Sequence, residues 1–169
     1  LKDGKCPIHQ KEPEIIEEEN YFFRLSKYAA KIKKIPEKDK IKIIPETKRN
    51  EILNFIGQGV EDISCSRLRK KLQWGIPVPG DETQTIYVWF DALINYISAL
   101  GYGKNGGSFK KYWPADVHCL GKDIFRFHSL LWPAILLSLG LDLPKTIFVH
   151  GFISVNGQKM SKSLGNVID

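Results

Sequence analysis

The stretch that decides the fold runs from residue 117 to residue 150 and reads VHCLGKDIFRFHSLLWPAILLSLGLDLPKTIFVH. Two short β-rich runs, Val117–Leu120 and Thr146–His150, flank a long apolar segment. The length of that segment predicts a helix over residues 123–139, with a kink at Pro133. A strand, a helix and a second strand in this order form the unit from which parallel sheets are built.

The same alternation continues upstream of this stretch. Residues 86–90 form a β-rich run, and the segment after them, which ends at Gly101, predicts a helix. The predicted fold class is therefore α/β, with a doubly wound parallel sheet covered on both faces. Ligands of such sheets bind beyond the carboxyl ends of the strands, so the loops after the strands are expected to carry function.

The first third of the chain is more polar and more charged than the rest. Apolar residues recur at helical spacing over residues 22–35, and Pro36 is expected to stop that helix. A second short helix is predicted from about residue 47 to residue 56, with Gly57 as its C-terminal signal. The composition changes near residues 57–59.

Composition limits the classes of function. The 169 residues include 25 Lys and Arg against 19 Asp and Glu, a net charge of +6, with basic clusters at residues 31–42 and 67–71. Such clusters suit RNA or a nucleotide, or they form a solvated face, and charge alone leaves both interpretations open. Three scattered cysteines favour a reducing compartment without a disulfide framework. We expect neither a membrane span nor a secretory signal.

Unusual residues follow the two strands of the deciding stretch. After the first strand come Gly121 and Asp123, and this aspartate either caps the next helix or accepts hydrogen bonds from ribose hydroxyls. After the second strand comes Asn156-Gly157, a strong signal for a hairpin turn. Residues 159–163 then read KMSKS. Two lysines three positions apart form either a flexible basic tail or a mobile cationic loop that can close over a triphosphate and offset charge on its oxygens.

These residues resemble a known family. KMSKS resembles the second signature of the class I aminoacyl-tRNA synthetases. Five further stretches resemble the methionyl-tRNA synthetases: ENYFFRL (19–25), WGIPVP (74–79), YVWFDALINY (87–96), GKDI followed by Phe127-His128 (121–128), and FVHGF (148–152). The resemblance covers nearly the whole chain, and residues 91–96 are similar to bacterial and mitochondrial members.

The resemblance implies a fold and a domain organisation. It implies the C-terminal half of a Rossmann-type catalytic domain. Residues 1–57 are then the end of the connective insertion, a small helical and knuckle remnant. Residues 58–169 are the second half of the catalytic domain, including the KMSKS loop.

The resemblance also implies an enzyme, a methionine–tRNA ligase. Such an enzyme activates L-methionine with ATP and Mg²⁺ to methionyl-adenylate, transfers the methionyl group to tRNA(Met), and lies in the cytoplasm or an organellar matrix. The implied methionine pocket consists of Trp89, Ala92, Leu93, Tyr96, Ile124 and His128. The implied ATP site consists of Gly121, Asp123, Lys159, Met160, Ser161 and Lys162.

Particular roles follow from this assignment. Lys159 and Lys162 are the implied catalytic residues, with Lys162 as the main stabiliser of the transition state. The aromatic rings of Trp89 and Tyr96 suit a polarizable thioether, and the Tyr96 hydroxyl is expected to donate to the sulfur. Without the resemblance, aromatic residues at this turn are more often core than pocket. Neither DNA nor a membrane is expected as a partner.

The sequence departs from the family pattern in two places. The other class I signature, HIGH, does not occur, so this piece is expected to be inactive alone and to expose an apolar face of its sheet. Cys6 and His9 have the spacing of half a zinc site. The resemblance implies that the other half lies upstream of Leu1, so Zn²⁺ is expected only in a longer protein.

Two other functions stay open. A class I synthetase for leucine, isoleucine, valine or cysteine shares KMSKS but needs a different pocket, and Trp89, Tyr96 and His128 argue against it. A non-catalytic RNA-binding or assembly module derived from a synthetase fits the missing HIGH half and the basic clusters. The two KMSKS lysines argue against that module.

Overall fold

The structure, a computed structural model, describes residues 4–5, 12–14, 17–104, 107–161 and 165–168. Its strands, in chain order, are β1 (Phe22–Phe23), β2 (Lys42–Ile44), β3 (Ile63–Ser64), β4 (Ser66–Leu68), β5 (Pro77–Val78), β6 (Asp81–Ile86), β7 (Val117–Gly121), β8 (Thr146–His150), β9 (Ser154–Val155) and β10 (Gln158–Lys159). Its α-helices are α1 (Ala29–Glu37), α2 (Glu46–Gly57), α3 (Val88–Ser98), α4 (Gly107–Tyr112) and α5 (Trp132–Leu139). No helix in these ranges is long and apolar enough to cross a membrane.

A parallel sheet of three strands organises the chain, in the order β2-β8-β7. Strands β7 and β8 lie where the sequence predicts them, and the α/β fold class is confirmed. Strand β2 precedes residue 57 and pairs with β8. A boundary at residue 57 would therefore separate β2 from its hydrogen-bonded neighbour, and the division into residues 1–57 and 58–169 stays a prediction.

Only one face of this sheet is covered within the described residues. Leu120, Ile147 and Val149 alternate with outward-facing neighbours, and they pack in one core with side chains of α1 and α2. On the opposite face, Val117 is 54% and Phe148 41% exposed. The expected exposed apolar face is thus confirmed. The prediction that both faces of the sheet are covered does not hold for the described part of the chain.

The helix after β7 contains an irregular turn. Residues Phe127–Leu131 form a π-helical turn, and α5 follows directly, with Pro133 in its first turn. A proline ring crowds the carbonyl four residues earlier, which here belongs to Ser129 within the wider turn. The irregularity expected at Pro133 therefore lies in the turn that precedes it.

The strand predicted over residues 86–90 is wrong. Strand β6 ends at Ile86, and α3 begins at Val88. The β-branched and aromatic residues of this run favour a strand by composition. The buried residues that follow them, however, recur at the spacing of a helix. Leu93 and Ile97, four positions apart, are both 1% exposed in the core.

The first third differs from its predicted helix. Phe22 and Phe23 form β1, which pairs antiparallel with β3, and a 3₁₀ turn over Leu25–Tyr28 leads into α1. Helix α1 includes Pro36 and ends one residue later, so the proline stands in its last turn and does not precede its end. The second helix is confirmed as α2.

Candidate active site

Two groups of side chains meet at the turn that follows β7. We name as the aromatic cluster Tyr96, His118, His128 and Trp132. We name as the charged cluster Gly121, Asp123, His150, Phe152 and Lys159. Asp123 of the charged cluster is followed directly by Ile124, whose carbonyl contacts His128 of the aromatic cluster. The two clusters therefore meet at the carboxyl end of β7, where doubly wound folds bind their ligands.

Hydrogen bonds fix the proton positions between Tyr96 and His128. His128 Nδ1 lies 3.0 Å from the Ile124 carbonyl oxygen, which only accepts, so Nδ1 carries the proton. His128 is buried, and burial lowers its pKa, so the ring is neutral and Nε2 accepts. The Tyr96 hydroxyl, 2.9 Å from Nε2, therefore donates to His128.

A second buried histidine stands behind Tyr96. Trp132 Nε1 donates to His118 Nε2 across 3.2 Å, and an indole nitrogen only donates, so this imidazole is neutral as well. Burial, with the nearby His128, lowers the pKa of His118 to about 4. The Tyr96 and His118 ring centroids are 4.3 Å apart. The aromatic cluster is therefore a packed, uncharged unit.

The charged cluster lies at the ends of β7 and β8, where Gly121 and His150 are paired in register. A Cβ at position 121 would lie 2.8 Å from Asp123 Oδ1 and 3.6 Å from the His150 ring. Glycine at this position is therefore what lets the Asp123 carboxylate fold back towards the strand end. Asp123 Oδ2 lies 3.9 Å from Lys159 Nζ, and both side chains are about half exposed.

A hairpin delivers Lys159 to this cluster. Strands β9 and β10 are joined by Asn156 and Gly157, both with positive φ, and the predicted hairpin turn is confirmed. Lys159 lies opposite Ser154, so its side chain shares a face with Phe152, two residues before Ser154. Its ammonium lies 3.8 Å from the centroid of the Phe152 ring, and that of Lys122 lies 4.1 Å from it.

Comparison with known proteins identifies the family. The sequence model described as tRNA synthetases class I (M) matches residues 1–169. The chain belongs to these class I tRNA synthetases. A methionine–tRNA ligase of Thermotoga maritima is 52% identical over 172 residues, covering 100% of this chain and 27% of that protein. One of Caldanaerobacter subterraneus subsp. tengcongensis is 55% identical over 170 residues, covering 100% and 26%.

Solved synthetases agree with the sequence comparison. Methionyl-tRNA synthetase of Mycobacterium tuberculosis bound by methionyl-adenylate matches with a TM-score of 0.83 and 46% identity. The match covers 91% of this chain and 30% of that one. Its apo form matches with a TM-score of 0.80 and 42% identity, covering 90% and 31%. This synthetase chain thus spans less than a third of the length of these relatives.

Within this synthetase chain, α3 carries four of the predicted pocket residues. Tyr96 contacts His128, whereas Leu93 is 1% exposed and packs into the core. Ala92 is exposed, and the Trp89 ring stacks on Phe127 with centroids 3.9 Å apart. The pocket role of these residues stays a prediction.

The predicted ATP-site residues are only partly brought together. Gly121, Asp123 and Lys159 converge, and Met160 N donates to the Ile153 carbonyl across the hairpin. Ser161 N donates to Asn166 Oδ1 at 2.8 Å. Lys162, Cys6 and His9 lie outside the described residues.

Six residues at or beside these clusters were not predicted as site residues: His118, Trp132, His150 and Phe152 within the clusters, and Phe127 and Asn166 beside them. Phe127 stacks on Trp89, and its position beside His128 could have indicated it. Phe152 lies in the FVHGF stretch that carries the family resemblance, but no site role was predicted for it. His118 and Asn166 carry no sequence signal of their own, because each acts through contacts made by folding.

Proposed function

We propose that the protein carrying this chain is a methionine–tRNA ligase. It joins L-methionine to ATP and passes the methionyl group to tRNA(Met), in the cytoplasm or an organellar matrix. One observation carries the proposal: the turn after β7 connects an uncharged aromatic cluster directly to a charged one. The apolar thioether of methionine requires an uncharged environment, and the triphosphate of ATP requires a charged one. The reaction needs the two environments side by side.

Methionine activation needs positioning and charge stabilisation more than base catalysis. A carboxylate oxygen of methionine attacks the α-phosphorus of ATP. The bond from that phosphorus to the bridging oxygen breaks, and pyrophosphate leaves with the electron pair. Negative charge grows on the leaving phosphates. We assign its stabilisation to Lys159 and above all Lys162, and ribose binding to Gly121 and Asp123, with Met160 and Ser161 beside the nucleotide.

The methionine side is assigned to Trp89, Ala92, Leu93, Tyr96, Ile124 and His128. Because the Tyr96 hydroxyl donates to His128, its proton is not directed at the thioether sulfur. Recognition then rests on the polarizable sulfur against the rings of Trp89 and Tyr96. The proposal therefore no longer includes a hydrogen bond from the Tyr96 hydroxyl to the sulfur, and it retains the same six pocket residues.

Metal ions have different places in this proposal. The described residues contain no group of three or more His, Cys, Asp or Glu side chains able to hold a metal. Mg²⁺ would be bound by the ATP phosphates, and the Asp123 carboxylate, 3.9 Å from Lys159 Nζ, is the group of the charged cluster that would supply it with an oxygen ligand. The metal ion would neutralise phosphate charge. Zn²⁺ at Cys6 and His9 stays a prediction for a longer protein.

The test is amino-acid-dependent ATP–pyrophosphate exchange by the full reading frame, comparing methionine, leucine, isoleucine and cysteine. We expect exchange with methionine only, and a loss of about 100- to 1,000-fold in Lys162→Ala. Lys145→Ala is the matched control, since that exposed lysine pairs with Asp116. Charging of tRNA(Met) with labelled methionine then tests the second step.

Other outcomes have definite meanings. Exchange with another amino acid would retain the class I chemistry and exclude the methionine pocket. No exchange from a folded protein would favour the non-catalytic RNA-binding module. Methionyl-adenylate formation by the 169-residue piece would contradict the expectation that it is inactive alone.

A further inference from the structure

The side chain of Asn166 makes two hydrogen bonds to the backbone at the end of the hairpin formed by β9 and β10. Its Oδ1 accepts a hydrogen bond from Ser161 N at 2.8 Å, and its Nδ2 donates to the Lys159 carbonyl at 3.1 Å. Asn166 is half-buried and lies seven residues after Lys159. A single carboxamide therefore connects two backbone positions on either side of Met160.

Hairpin geometry explains why these two groups are available. Met160 N donates to the Ile153 carbonyl, so Met160 faces β9 with its backbone groups. In an antiparallel pair the neighbouring residues direct their N–H and C=O groups to the opposite edge. The Lys159 carbonyl and the Ser161 N–H thus point away from β9. The Asn166 amide, with one donor and one acceptor, matches them as a strand residue would.

The two hydrogen bonds from Asn166 restrict the backbone that carries the Lys159 side chain. Its ammonium already contacts the Phe152 ring and the Asp123 carboxylate from one face of the hairpin. With β9 on one edge and Asn166 on the other, the backbone from which this side chain extends is held from both sides. A displacement of about 1 Å in a catalytic group can cost roughly 100-fold in rate.

We propose that Asn166 is a positioning residue that acts through Lys159. It holds the end of β10 so that the ammonium reaches the phosphates during methionine activation. The inference rests on the proposed function for its kinetic effect, whereas the two backbone hydrogen bonds can be tested without activity.

The kinetic experiment uses the full reading frame and ATP–pyrophosphate exchange. Asn166→Ala removes both hydrogen bonds, and Asn166→Asp keeps the acceptor for Ser161 N while losing the donor to Lys159. Asn54→Ala, at an exposed position of α2, is the matched control. We expect kcat to fall about 10- to 100-fold in Asn166→Ala and less in Asn166→Asp, with an unchanged KM for methionine.

A double-mutant cycle separates positioning from general stabilisation. In a Lys159→Gln background, Asn166→Ala is expected to have little further effect, because the group it positions is gone. An equal loss in both backgrounds, or no loss in the wild type, would overturn the proposal.

Hydrogen exchange provides a readout that needs no catalysis. Mass spectrometry of peptides covering residues 159–161 is expected to show faster exchange of the Ser161 amide in Asn166→Ala and not in Asn54→Ala. Unchanged exchange would also overturn the proposal. If the wild type lacks methionine-dependent exchange, the proposed function fails, and this measurement still decides whether Asn166 holds the hairpin.

Discussion

The aromatic cluster and the charged cluster use opposite physical means within one site. Tyr96, His128, His118 and Trp132 are fixed by ring packing and by hydrogen bonds between neutral groups. Asp123, Lys159 and Phe152 are about half exposed. The Lys159 ammonium lies 3.9 Å from the Asp123 carboxylate and 3.8 Å from the centroid of the Phe152 ring. One cluster is part of the core, and the other lies at the exposed ends of strands β7, β8 and β10 and in the turns next to them.

This difference teaches where each kind of recognition can be built. A thioether binds by shape and polarizability, so its pocket benefits from rigid packing and neutral histidines. Phosphate binding needs ammonium groups that stay charged, and burial would neutralise them. Substitutions in the two clusters are therefore expected to change different quantities.

The largest expected effect is the acid sensitivity of the aromatic cluster. Below pH 6.5 a histidine of the unfolded chain binds a proton, whereas folded His118, with a pKa of about 4, stays neutral. The free energy of unfolding therefore falls as the pH falls from about 6.5 to about 4, by about 3 kcal/mol for this residue, and is unaffected above that range. His128 acts in the same direction.

Urea midpoints of the full reading frame between pH 7.5 and pH 4 measure this effect. The control is His118→Gln, whose amide oxygen can still accept from Trp132 Nε1 and does not titrate. The wild type is expected to lose more stability than this variant on acidification. Parallel curves would show that His118 is not held neutral by the fold.

The second prediction compares the two clusters by the substrate whose KM changes. Tyr96→Phe removes the donor to His128 Nε2 and leaves a buried acceptor unpaired. We expect the KM for methionine to rise by about 10-fold, with the KM for ATP unchanged. Exchange kinetics with each substrate varied in turn measure both. A rise in the KM for ATP alone would contradict the division between the clusters.

The smallest effect concerns the charged cluster. Gly121→Ala places a Cβ against Asp123 Oδ1, and the exposed carboxylate can move aside with little loss of stability. We expect the KM for ATP to rise by about 3- to 10-fold, with a urea midpoint near that of the wild type. Gly57→Ala, at the open C-terminal end of α2, serves as the control. A raised KM for methionine alone would contradict the assignment.

Much of the fold was predictable from sequence. Strands β7 and β8, helix α2 and the Asn156-Gly157 hairpin were all found from local signals. The error at residues 86–90 arose because aromatic and β-branched composition favours a strand there, whereas burial of Leu93 and Ile97 selects a helix. Propensity is a local quantity, and packing overrides it.

In the candidate site, too, some residues were predictable from sequence and others were not. The motifs around Gly121, Asp123 and Lys159 were visible because the residue types at those positions are unusual, and the structure brings these three together. His118 and Asn166 were not visible, since a histidine in a strand and an asparagine near the end of the chain are common. Their partners lie 14 and 7 residues away along the chain.

By itself the sequence determined the fold class, the family and the loops that carry chemistry, because strand and helix signals and short motifs are written in neighbouring residues. Only the tertiary structure decided that β2 pairs with β8, that Tyr96 donates its proton to His128, and that the Asn166 amide donates to the Lys159 carbonyl. The physical reason is that burial and hydrogen-bond direction depend on which groups meet after folding, and a local pattern does not contain that information.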